Sequence, residues 1–123
     1  MSRAVFEYAV VRAVPRVERG ECVNVGVLVY CQAADFLAVG AHVDGDRLRA
    51  LDAGADVEGI AEAVMALQRT CDGAGPSAQT SLGQRFRWLT APRSTVVRAG
   101  PVHSGLTADP AAELTRLVDA LVR

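Results

Sequence analysis

The sequence predicts an α+β fold in a single domain, residues 1–123. Three observations carry that prediction. Apolar residues alternate at period two near the N-terminus, they switch to helical spacing after Asp56, and Asp109-Pro110 opens a last amphipathic segment. The expected order is an N-terminal antiparallel three-strand meander, two helices, a late strand and a C-terminal helix, with the helices packed on one face of the sheet.

The first strand is expected from about Ala4 to Val14, rich in β-branched and aromatic residues and ended by Pro15. Alternation gives one face to Phe6, Tyr8, Val10 and Arg12 and the other to Val5, Glu7, Ala9 and Val11. A polar loop through Gly20 leads to a second strand, Cys22 to Cys31. There Val23, Val25, Val27 and Val29 should share a core face opposite Asn24, Gly26, Leu28 and Tyr30. A third strand, about Phe36 to Val43, runs into the turn Val43-Asp44-Gly45-Asp46.

Arg47 to Leu51 fits one helical turn. Asp56 caps a helix whose stripe is Val57, Ile60, Ala61, Val64, Leu67 and Cys71. Gly73, Gly75 and Pro76 make a loop. A short helix from Ser81 to Leu89 buries Leu82, Phe86 and Leu89. Ser94 to Ala99 returns to a strand pattern, and His103-Ser104-Gly105 reads as loop. Asp109 and Pro110 supply the capping acid and first-turn proline of the last helix.

All 13 basic residues are arginine, which excludes a Schiff-base lysine, a lysine base and a phosphate-loop lysine. The net charge of -1 argues against nucleic acid or an anionic membrane as partner. No apolar run is long enough to span a bilayer, and Glu7 comes too early for a signal peptide, so a cytoplasmic protein is expected. Cys22, Cys31 and Cys71 read as buried structural thiols, with His42 and His103 too scattered to complete a zinc site. No dinucleotide, phosphate-loop, zincin or calcium motif is present, so no cofactor and no metal are expected.

Two polar clusters could carry chemistry. The first is Arg19-Gly20-Glu21-Cys22-Val23-Asn24, where a loop enters a valine-rich strand. Arg19 would hold an anion and Asn24 would orient it; the structural alternative is an Arg19–Glu21 or Arg12–Glu21 ion pair with Asn24 bonded to backbone. The second is Arg93-Ser94-Thr95, followed by His103. Arg93 and Thr95 could add ligand contacts. Ser94, His103 and Glu21 or Asp109 formally compose a nucleophile, base and acid, although no nucleophile-elbow motif accompanies them. Arg85, Arg87 and Arg93, interleaved with Phe86 and Trp88, could stack on bases or simply form a solvated helix face.

The segments Tyr8–Pro15 and Arg19–Val27, with Phe86-Arg87-Trp88-Leu89, Pro92–Thr95, Val102–Gly105 and Asp109-Pro110, resemble the uncharacterised bacterial family catalogued as domain of unknown function 3037. The resemblance implies a small stand-alone bacterial protein and brings no established activity. It also implies, through gene context, a HipA-like kinase as partner.

Two functional readings follow. One is a binding or regulatory protein without its own catalytic chemistry, using an exposed edge at the first or third strand. The other is a small enzyme acting on a phosphate- or carboxylate-bearing substrate through Arg19, Arg93, His103, Glu21 and Ser94. A homodimer that covers an open sheet edge fits either.

Overall fold

A computed structural model describes residues 2–123. Strand β1 (Ala4–Ala13) lies at the centre, because it pairs antiparallel with β2 (Val23–Cys31) on one side and with two short strands on the other. Those are β4 (Val97–Ala99) and β5 (His103–Thr107). They meet successive stretches of the same edge, Val97 opposite Ala13 and His103 opposite Tyr8. Gly100 and Pro101 fall in the break between them. Strand β3 (Phe36–Ala41) pairs with β2 and closes the order β3-β2-β1-β4.

The α+β class and the N-terminal meander therefore stand as the sequence predicts. Two details differ. His103-Ser104-Gly105 is strand rather than loop, because β1 offers a free row of backbone groups there. The late strand begins at Val97 and not at Ser94.

The helices are α1 (Gly45–Leu51), α2 (Val57–Cys71), α3 (Leu82–Leu89) and α4 (Pro110–Leu121), with a 3-10 turn at Gly75–Gln79. The starts of α2 and α4 are capped by the acids expected from the sequence, and Ser81, expected as the first residue of its helix, is instead the cap of α3. Asp56 accepts from Gly59 N, Ser81 and Gln84 form a reciprocal capping box, and Asp109 accepts from Ala112 N ahead of Pro110.

The expectation of helices on one face holds for α1, α2 and α3. They cover Val11, Ala13, Val25 and Leu28 with Leu48, Ile60, Val64, Phe86 and Leu89. Helix α4 occupies the opposite face and packs Leu117, Val118 and Val122 on Phe6, Val27 and Val29. Successive strand residues point to opposite faces, and β1 and β2 are apolar on both.

The four valines of β2 are all buried but do not share one face. The pairing runs Val11 to Gly26 and then Arg12 to Asn24, so Val25 is one extra residue in β2. This bulge turns Val23 and Val25 toward α2 while Val27 and Val29 face α4. Gly26 sits at the bulge because a side chain there would meet the Gly40 backbone oxygen at 2.8 Å.

Candidate functional site

The first polar cluster lies in the loop between β1 and β2. Gly20 has φ +72°, which lets the chain reverse just before Glu21. Arg19 Nε donates to Glu21 Oε1 at 2.6 Å, and both side chains stand about half exposed. That hydrogen bond holds the Arg19 guanidinium above its ordinary range, toward the charged form. Pro15, Arg16, Leu51 and Asp52 complete a recess around the pair, too tight to hold a water molecule. Arg19 therefore has its own acid, and Arg12 does not take Glu21. Cys22 is exposed, unlike the buried Cys31 and Cys71, because it precedes the first residue of β2.

Asn24 works elsewhere. Its Nδ2 donates to Leu121 O at 3.0 Å, while Arg47 Nη1 donates to Val122 O at 2.7 Å. Both side chains satisfy carbonyls that the last turn of α4 leaves without partners, and both place positive dipole or charge at its negative end.

The second cluster divides. Arg93 folds back on α3, with Nη2 donating to Trp88 O at 2.6 Å and its guanidinium 5.4 Å from the Trp88 ring centre. Thr95 Oγ1 donates to Val97 O at 2.7 Å, which shapes the entry into β4. Ser94 is exposed.

Register fixes how far these groups lie from His103. Val23 and Val97 both pair with Ala13, so Glu21 and Thr95 arrive at the same end of the sheet, on either side of β1. Pro15 stands between them, lining the Arg19 recess and also a cleft of about 350 Å³ with Val96, Val97, Ile60 and Asp56. His103 pairs with Tyr8, five residues back along β1, about 17 Å away at the rise of an extended strand. It is exposed, its ring 5.2 Å from that of Tyr8. Proton transfer demands hydrogen-bond reach, so Ser94, His103 and Glu21 do not assemble as a unit. Asp109 is the cap of α4.

The basic and aromatic run on α3 is spent on structure. Phe86 is fully buried and stacks on Tyr30, and Arg85 donates inward to Cys71 O, Ser77 O and Thr80 O. Arg87 pairs with Glu7. Trp88 remains half exposed beneath Arg93.

Sequence reasoning passed over one feature and named another only as one of two candidate edges. Arg12 and Arg98 face each other across β1 and β4; the available signal was an arginine in the otherwise apolar stripe Phe6, Tyr8, Val10. The other feature is the outer edge of β3. His42 N bonds to Val25 O within the β2–β3 register. Antiparallel pairs alternate, so Phe36, Ala38 and Gly40 bond inward while Leu37, Val39 and Ala41 turn their N–H and C=O groups outward. The strand Phe-Leu-Ala-Val-Gly-Ala carries no charge and no proline. By contrast β1, one of the two edges expected to be open, is covered by β4 and β5.

The family described as "Protein of unknown function (DUF3037)" matches residues 8–122, nearly the whole chain. The chain belongs to this family. The DUF3037 match spans both stretches that carry the resemblance, the β1–β2 segment and the run from Phe86 to Asp109-Pro110. No curated protein and no solved structure matches the chain. Among the described residues of this DUF3037 chain, no helix is long and apolar enough to cross a membrane.

Proposed function

We propose that this protein is a small binding or regulatory partner that accepts an extended segment of another protein along β3. One observation carries the reading: a six-residue edge strand with outward backbone groups at Leu37, Val39 and Ala41 and no charged or proline gatekeeper. An added strand satisfies those groups by main-chain hydrogen bonds, and its alternate side chains reach the two faces beside α2 and α4. The side chains best suited to chemistry are separated or engaged with neighbours, which favours binding over a reaction at this surface.

The partner to test first is the HipA-like kinase that the family resemblance implies, in a bacterial cytoplasm. Co-expression with an adjacent kinase-like gene, followed by a sizing column, is the experiment. Co-elution that Val39→Pro abolishes supports the proposal. Proline at Val39 removes an outward N–H and leaves the β2 ladder intact; Ala41→Pro repeats the test at an exposed position. Separate elution with unchanged kinase activity rejects the kinase as partner, and a dimer of this chain that Val39→Pro dissociates would assign the edge to a second copy.

A further inference from the structure

Given strand addition at β3, on which this rests, we propose that the added segment is selected by one aromatic side chain, a phenylalanine or tyrosine that stands opposite Gly40 and enters a hollow beside α4. Gly40 bonds inward to β2, opposite Val27, while the backbone groups of Val39 and Ala41 on either side of it turn outward. An antiparallel segment that takes those groups sets one residue opposite Gly40 as a non-hydrogen-bonded pair. Cα atoms in such a pair are about 4.5 Å apart and the side chains are at their closest. That side chain rises on the α4 face, because Gly40 lies there: a side-chain carbon on Gly40 would come within 2.7 Å of Val118 Cγ2 and 3.2 Å of Leu114 Cδ1.

The hollow holds about 210 Å³ between β3 and α4. Leu114 and Val118 wall it, and Thr115, Asp119 and Arg123 form its rim. Its only strand residues belong to β3, so it opens on the free edge of the sheet. The rim charges are paired with each other, Arg123 Nε to Asp119 Oδ1 at 3.1 Å, which suits an uncharged occupant. The chain does not fill the space itself. Gly40 has no side chain, and Ala41 turns its methyl group to the opposite face. Along the α4 face β3 steps down from Phe36 through Ala38 to Gly40, so the room for a large residue is at the Gly40 end. On the other face Leu37 and Val39 already pack against the core under α2. The volume falls below the range of about 300–1,000 Å³ for small-molecule sites and matches one side chain. A flat ring also covers the bare glycine backbone across the strand pair, the way aromatic residues stabilise edge glycines, and brings a large apolar area to the interface.

The test is selection by the whole chain from a displayed library of short random peptides. Anisotropy titrations then use the selected peptide as it is and with its aromatic residue replaced by alanine. Selected sequences should share one phenylalanine or tyrosine at a fixed position, and alanine there should weaken binding about tenfold or more. Thr115→Trp, at an exposed position on the rim, fills the hollow from the protein's own side and should weaken the aromatic peptide to the level of the alanine one. Val39→Pro should abolish binding of both. Binding that Val39→Pro abolishes but that shows no aromatic position, or that Thr115→Trp leaves unchanged, overturns the aromatic assignment and leaves strand addition standing. Peptides that still bind Val39→Pro and Ala41→Pro, or a library that yields no binder, reject strand addition and the aromatic assignment together. Self-association that Thr115→Trp abolishes would seat Phe36 of a second copy in the hollow and overturn the assignment to a partner.

Discussion

Arg87 and Glu7 join α3 to β1 by a bidentate pair, Nη1 to Oε2 at 2.8 Å and Nη2 to Oε1 at 2.7 Å. The contact closes 80 residues of sequence and sits where the sheet emerges from under α3. Arg87 is held charged first by that hydrogen bond.

Glu7 is only 24% exposed while Arg87 is 59% exposed, so solvent screens the pair in part. Glu7→Gln should cost about 1 kcal/mol, at the upper end for a surface pair because the geometry is bidentate. Urea unfolding of Glu7→Gln, Arg87→Gln and the double variant measures the coupling. The coupling should shrink in about 1 M salt.

Gly26→Ala should be more damaging than its size implies. The added carbon meets a backbone oxygen of β3 at 2.8 Å, and a backbone group cannot rotate away. A loss of roughly 2 kcal/mol or more is expected at such a site, read as a lower denaturation midpoint. Full stability in Gly26→Ala would show that β2 and β3 are less closely apposed.

Cys71 reports burial through its acid strength. Desolvation pushes its thiol up to about 11, with Asp72 adding in the same direction. The unfolded thiol loses its proton near the model-peptide value of 9.0, so between there and about 11 the folded chain binds more protons than the unfolded one. Folding stability contributed by this group is thus complete below pH 9 and falls as pH rises through 11. Chemical denaturation across that window should show the decline, and Cys71→Ala should reduce it. In the native protein a thiol reagent should modify exposed Cys22 fast and the buried Cys31 and Cys71 only on unfolding.

Asn24→Ala should loosen α4 by about 1 kcal/mol, the net worth of one side-chain to backbone hydrogen bond. Adding Arg47→Ala should cost more than the sum if the two donors share the work of holding one helix end. Amide exchange in the last turn of α4 measures it.

What could be read from residues alone follows how local the cause is. Asp56 and Asp109 announce helix starts because a cap needs only neighbours in sequence. The valine alternation of β2 announces a strand, yet it misassigns Val23 and Val25, because the bulge is set by pairing with β1. His103 looks like loop from its own glycine and serine neighbours, and becomes strand because β1 has an edge to offer. The Arg19–Glu21 pair, two residues apart, was legible as one of two readings. The Asn24 bond to Leu121, 97 residues away, was legible only as an unspecified backbone contact. The facing of Arg12 by Arg98 needed the register of β4, which no local pattern encodes.

Strand addition at β3 is read residue by residue in backbone amide exchange with and without the co-expressed kinase-like protein. Free protein should exchange rapidly at Leu37, Val39 and Ala41 and slowly at Phe36, Ala38 and Gly40. Binding should protect Leu37, Val39 and Ala41 selectively. Complex formation that leaves those three amides as fast as before would place the partner elsewhere than on β3.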